Sequence, residues 1–177
     1  VYGETPVFEL ESDNNLITAA ELAEFTKSTV FTSDGTAANA PANENGYAIS
    51  AQLTSSETDN LILEVGGTGT LTVAKAPLTI KVKDVSREYG AENPALEVEY
   101  SGFVNGEDES VLSGELKLSY DSSINGQTAV DTYTGVTSAA GLTSGNYEIA
   151  YVNGNVEITK ISISASAGAV GRTYITV

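Results

Sequence analysis

The 177-residue sequence contains no cysteine, no histidine, no methionine and no tryptophan. Without cysteine there is neither a disulfide nor a thiolate nucleophile, so packing alone must hold the chain. Without histidine it lacks both the commonest zinc ligand and the side chain best suited to proton transfer near neutral pH. Basic residues are scarce: 8 Lys and Arg stand against 24 Asp and Glu, a formal net charge of −16. Lys27 is the only basic residue before Lys75. Such a surface repels phosphate backbones and anionic membranes, so nucleic acid is not an expected partner. No apolar run approaches the roughly 20 residues that a bilayer-spanning helix requires, so the chain is not expected to be membrane-embedded. A Gly-x-Ser-x-Gly elbow and a phosphate-cradling glycine motif are also missing. Neither catalysis nor a cofactor is expected.

What the sequence does have is a repeat. Lys75-Ala76-Pro77-Leu78-Thr79-Ile80 and Val85-Ser86-Arg87-Glu88-Tyr89 are followed, 85 residues later, by Lys160-Ile161-Ser162-Ile163 and Val170-Gly171-Arg172-Thr173-Tyr174. Tyr2-Gly3-Glu4-Thr5-Pro6 also matches Tyr89-Gly90-Ala91-Glu92-Asn93-Pro94, with one residue inserted in the later copy. A period of this size predicts an array of domains. The expected division is a divergent first repeat over 1–75, a second over 76–160 and the first strand of a third, incomplete repeat over 161–177. Between the first two, the inward parity switches from Leu71 and Val73 to Leu78 and Ile80 across Ala76-Pro77. Proline restricts the residue before it to extended conformations, so a short, stiff connector is expected.

Alternation predicts strands: Leu78, Ile80 and Val82; Leu96, Val98 and Tyr100; Leu116, Leu118 and Tyr120; Tyr147, Ile149 and Tyr151; Val156 and Ile158. Asn153-Gly154 between the last two reads as a type I′ hairpin turn, and Gly66-Gly67 between Leu61–Leu63 and Leu71–Val73 as its counterpart. Thr18 and Glu21 have capping-box spacing ahead of Leu22 and Phe25, which predicts a helix of two to three turns. Asn105–Leu112 reads as a shorter, more acidic helical turn. The predicted fold is mostly β (α+β): two tandem β-grasp-like domains, each a small sheet with one short helix. An immunoglobulin-like β-sandwich is the alternative, which a missing helix at Thr18–Lys27 would favour.

Few residues qualify as site candidates. Asp121, Ser123 and Asn125 alternate before Gly126 as in an EF-hand calcium loop, but the twelfth position is Thr132 instead of a bidentate Glu. Glu107, Asp108 and Glu109 are adjacent, and neighbours on a helix point in different directions, so a helix-start cluster is the simpler reading. Among nine tyrosines, Tyr100, Tyr120, Tyr147 and Tyr151 share parity with apolar neighbours, which puts them in or at the rim of the core. Tyr2, Tyr89 and Tyr174 recur at the repeat start, where a role in a turn or domain junction is expected. That leaves Tyr47 and Tyr133 for sugar stacking, and no metal, cofactor or catalytic residue is assigned.

Tyr89-Gly90 with Asn93-Pro94, the run Tyr100-Ser101-Gly102-Phe103-Val104-Asn105-Gly106-Glu107-Asp108, Asn146-Tyr147 and Val156–Lys160 together resemble the MBG domain of the YGX type. The resemblance covers nearly all of 76–160. The first repeat keeps Tyr2-Gly3, Pro6, Gly46-Tyr47-Ala48-Ile49 and Leu71–Lys75 but replaces the Ser-Gly-Phe-Val-Asn-Gly stretch by an Ala/Glu segment. The resemblance implies tandem repeats of a secreted or cell-surface bacterial protein of the adhesin type. It implies a non-catalytic stalk or spacer whose partners are the neighbouring repeats. A module that binds host or bacterial glycans or surface proteins is the alternative.

Overall fold

In a computed structural model of the chain, the described residues are 1–8, 18–27, 29–53 and 69–163. They form a mostly β structure with one α-helix and several small open sheets. The helix, α1 (Ala19–Lys27), starts where the capping box places it. Thr18 Oγ1 accepts from the Glu21 amide at 3.3 Å, and the Glu21 carboxylate accepts from the Thr18 amide at 2.8 Å. These bonds hold the Glu21 carboxyl below its ordinary value. The helix buries Phe25.

After α1 come β1 (Thr29–Thr32), β2 (Asn43–Leu53) and β3 (Gly69–Val73), which form an antiparallel sheet in the order β1-β2-β3. The strand facing β3 is thus Asn43–Leu53. Leu61–Leu63 and the Gly66-Gly67 turn lie outside the described residues. Two residues, Ala74 and Lys75, lead from β3 into β4 (Ala76–Val82). Leu78, Ile80 and Val82 are buried on one face of β4, as the alternation predicts; Ala76 joins them at 2% exposure, so Ala76-Pro77, expected as a connector, is instead the paired start of the strand. β4 is the centre of a sheet with β6 (Val98–Ser101) antiparallel on one side and β10 (Tyr147–Val152) parallel on the other. Pro77 is tolerated in this central strand because β6 begins pairing only at Thr79.

The remaining strands are β5 (Val85–Glu88), β7 (Ser113–Tyr120), β8 (Thr132–Tyr133), β9 (Thr137–Thr143) and β11 (Val156–Thr159). β7 pairs with β9, and β11 sits between β5 and β8.

The β4–β10 and β5–β11 pairs are one long parallel alignment. Tyr147 faces Ala76 and Val156 faces Val85, an offset of 71 both times (147 − 76 and 156 − 85). Where the pairing breaks, Asp84 accepts from the Asn155 amide at 2.8 Å, at the same offset (155 − 84). The buried positions change parity there, from Leu78, Ile80 and Val82 to Arg87 on one path and from Tyr147 to Val156 and Ile158 on the other. One side of the break packs into a cluster around Leu78, Ile80 and Tyr147, the other into a cluster of Ile124, Val156 and Ile158.

This corrects the hairpin expected at Asn153-Gly154. Neither residue has positive φ, and β10 and β11 do not pair with each other. Each strand finds a partner 71 residues away, so the dipeptide is a short break between two strands that follow one parallel alignment. Glycine is needed there for space: a Cβ on Gly154 would lie 2.5 Å from the Val82 carbonyl oxygen. At Asn105–Leu112 the chain makes one 3-10 turn, Glu109–Val111, capped by Asp108, whose Oδ1 accepts from the Ser110 amide at 2.9 Å.

Arg87, on β5, is only 7% exposed. Its guanidinium donates to Asn93 Oδ1 at 2.8 Å, the Glu88 carbonyl at 3.1 Å and the Asn125 carbonyl at 2.5 Å. Asn93 in turn donates to the Ile124 carbonyl at 2.9 Å. All three guanidinium acceptors are uncharged, so this buried cation is a clamp between the 88–94 turn and the 121–128 loop. Arg87→Ala would remove all three of these bonds from a charged donor, together with the packing of a buried side chain. We expect urea unfolding to show a loss of about 2–4 kcal/mol, near the upper end for single substitutions; a loss under about 0.5 kcal/mol, the size of an ordinary surface change, would contradict the clamp.

Candidate functional site

No strand of the β1–β3 sheet pairs with any of β4–β11, yet one buried cluster spans both groups. Tyr2 and Val73 from the N-terminal segment pack with Ala76, Leu78, Ile80 and Tyr147. At its centre are three rings. Tyr2 meets Tyr147 edge to face with centroids 5.6 Å apart, and Phe103 meets the same Tyr147 ring at 5.4 Å. Such edge-to-face pairs contribute about 0.5–1.5 kcal/mol beyond the area they bury.

The hydroxyls of Tyr2 and Tyr147 both donate to Glu107, at 2.6 Å to Oε1 and 2.5 Å to Oε2. Tyr147 Oη also accepts from the Val104 amide at 3.1 Å. One carboxylate thus ties the N-terminal turn to β10 and to the loop after β6.

Local backbone chemistry places each part. Tyr2 is the second residue of a turn closed by the Glu4 amide donating to the Val1 carbonyl at 3.0 Å, with Gly3 third at φ 87°. That φ is the requirement of a type II turn. A side chain at Gly3 would also strike Val104, whose Cγ2 lies 2.7 Å from the position of a Cβ. The turn is held to the end of the N-terminal sheet by the Tyr2 amide donating to the Ala74 carbonyl at 2.8 Å. Around the rings runs a polar rim: Asn105 Nδ2 donates to the Ala38 carbonyl at 2.9 Å, and Asn146 Oδ1 accepts from the Ala42 amide at 3.0 Å. Lys75 donates to the Ser144 carbonyl at 3.0 Å.

The three adjacent acids have separate roles. Glu107 receives the two tyrosines, Asp108 caps the 3-10 turn and Glu109 is exposed. The expected helix-start cluster accounts for Asp108 but missed Glu107, because the partners of Glu107 lie 105 and 40 residues away. The only signal in the sequence is indirect: Tyr2 recurs at a repeat start and Tyr147 keeps core parity.

Asp121 Oδ1 accepts from the Ser123 amide at 2.9 Å, Asn125 Oδ1 from the Gln127 amide at 3.0 Å, and Asp131 Oδ1 from the Thr132 amide at 2.8 Å. The calcium-like loop therefore spends these oxygens on its own turns, and Ile124 points inward at 4% exposure. Among the described residues no group of three or more His, Cys, Asp or Glu is placed to hold a metal ion. Tyr47 and Tyr133 are both half-buried, with their hydroxyls donated to the Pro41 carbonyl at 2.8 Å and the Ala129 carbonyl at 3.2 Å. Among the described residues the exposed tyrosine is Tyr89, at 42%.

Fold and site together define a mostly β module joined to a preceding β segment through a buried tyrosine contact. Residues 78–157 match the family model described as MBG domain (YGX type). No curated protein and no solved structure matches the chain. No helix among the described residues is long and apolar enough to cross a membrane.

The Tyr2 hydroxyl is held above its ordinary pKa, first by its bond to Glu107 and then by burial; Tyr147 is raised first by burial and then by the same carboxylate. Folding therefore favours the neutral phenols. Their contribution is complete below about pH 10, the ordinary tyrosine value, and is lost as pH rises through the raised folded values. Tyr2→Phe removes one bond to a charged acceptor, and urea unfolding at neutral pH should show a loss of about 1.5–3 kcal/mol. Above about pH 10 the wild type should lose stability more steeply than Tyr2→Phe. Parallel alkaline slopes would show that the Tyr2 hydroxyl is not linked to folding.

Proposed function

We propose that the chain is a run of tandem β-rich units, 1–75 and 76–160 with a third beginning at 161, acting as a stiff, non-catalytic stalk in a secreted or cell-surface bacterial protein of the adhesin type. The MBG match over 78–157 supports a surface-protein repeat module. Helix α1 and the parallel pairing of β4 with β10 support a β-grasp-like over an immunoglobulin-like arrangement. The observation that carries the stalk reading is the junction. Two residues separate β3 from β4, and Tyr2, 3% exposed, is buried against Tyr147 and Glu107 across that boundary. A flexible tether needs several solvated Gly or Ser residues. A connection this short with a shared core transmits orientation from one unit to the next.

A second reading, a module for host or bacterial glycans or glycoproteins, is favoured by one feature. An open groove of about 580 Å3 lies at the same junction, lined by Glu44, Thr72, Lys75, Ser144 and Glu148 among others. Its polar lining suits hydroxyl-rich ligands, but the stacking ring such a site needs is absent from its floor: Tyr147, the one ring lining it, is 2% exposed.

Small-angle X-ray scattering on the chain, with calcium and with a chelator, separates the readings. The stalk predicts an elongated two-lobed profile unchanged by either addition. A compact profile, with the units folded back on each other around a common cleft, would contradict it.

A further inference from the structure

The Tyr2 turn has a structural double whose tip is uncovered among the described residues. At Glu88–Ala91 the Ala91 amide donates to the Glu88 carbonyl at 3.2 Å, and Gly90 has φ 84°. The Tyr89 amide donates to the Thr159 carbonyl at 2.8 Å, as the Tyr2 amide does to Ala74 at the same length. Thr159 stands 85 residues after Ala74, the period of the sequence repeat (159 − 74). The two turns thus share closure, anchoring and glycine conformation. They differ in what covers them. Tyr2 is 3% exposed and Tyr89 42%; a Cβ on Gly3 would strike Val104, whereas one on Gly90 would meet nothing within 4 Å. Beside Tyr89 the chain runs on through Ile161 and Ile163, 44% and 83% exposed. They stand 85 residues after Ala76 and Leu78, which are 2% and 1% exposed in the cluster that receives Tyr2.

We propose that the Glu88–Ala91 turn is a plug, with Tyr89 as its inserting side chain, and that its occupant is a further unit of the 76–160 type continuing from Ile161. The counterparts of Phe103, Val104, Glu107 and Tyr147 in that unit close on Tyr89 as this chain's own residues close on Tyr2. The proposal deepens the tandem-unit reading and rests on it. The sequence supplies the continuity, since 160–174 repeats the landmarks of 75–89. It also assigns a task to the most specific residues of the MBG resemblance: Tyr-Gly is the plug, and Ser-Gly-Phe-Val-Asn-Gly-Glu with Asn-Tyr is the socket. Tyr47, where the first repeat has its counterpart of Tyr147, donates its hydroxyl to Pro41 instead, so that position is closed by its own loop.

Two experiments test this. In the first, residues 161–177 are replaced by a second copy of 76–160 carrying Tyr89→Phe, so that one tip alone is read, and tyrosine nitration is followed by peptide mass spectrometry. Tyr89 should react about tenfold more slowly than in the 177-residue chain, as burial behind a cooperative opening requires. An unchanged rate, with Tyr147 protected in both copies, would overturn the plug while leaving the stalk reading to the scattering profile. In the second, Val1–Pro6 of the 177-residue chain are replaced by the Glu88–Pro94 sequence. The graft should keep the wild-type urea midpoint. A fall as large as that of Tyr2→Ala would show that the second turn cannot fill the socket, and would overturn the proposal without requiring an added unit to fold.

Discussion

The carboxylate of Glu107, shared between the hydroxyls of Tyr2 and Tyr147, is the interaction on which the arrangement of the chain depends. A single acid accepts from two phenols that belong to opposite sides of the β3–β4 boundary. In a chain of net charge −16 with 8 basic residues, an ion pair is a scarce resource for stabilising a junction. The ion pairs among the described side chains, such as Lys83–Glu97 and Lys27–Glu24, lie on the exposed surface and contribute little. Phenol donors solve the problem differently. They satisfy a carboxylate without a cation, and their rings supply the apolar area that a small β unit otherwise lacks.

The second constraint is the parallel alignment at offset 71. Because β4 with β10 and β5 with β11 keep the same offset, the buried faces switch in concert across the break. One end of the domain is then packed around Tyr147 and the other around Val156, Ile158 and the Arg87 clamp. The cluster that receives Tyr2 and the turn carrying Tyr89 lie on different stretches of the same pair of strand paths. On the proposed array reading, these are the receiving and the donating end of one module.

Local chemistry was legible in the sequence, and long-range chemistry was not. Thr18 and Glu21 are three residues apart, so a capping box could be read and was formed. The alternation of Leu78, Ile80 and Val82 marked the central strand, whereas its start at Ala76-Pro77 was hidden because a proline there reads as a connector. Asn153-Gly154 misled because a hairpin turn presumes that its flanking strands pair with each other, and here each pairs 71 residues away. β9 went unread because Thr137–Thr143 is built of Ser, Thr, Ala and Gly with one Leu and carries no apolar alternation. Glu107 was grouped with its neighbours Asp108 and Glu109, although only its distant tyrosine partners distinguish it. The burial of Arg87 was hidden for the same reason, its acceptors lying on two separate loops.

If Tyr2 locks the segments on either side of the β3–β4 boundary together, they tumble as one body. Backbone 15N relaxation measures this most directly, since it yields the rotational diffusion of 29–53 and of 76–160 separately. The account predicts one common diffusion tensor for the wild type and two independent ones for Tyr2→Ala, each unit still folded. Independent tumbling in the wild type, or a common tensor that survives Tyr2→Ala, would contradict it.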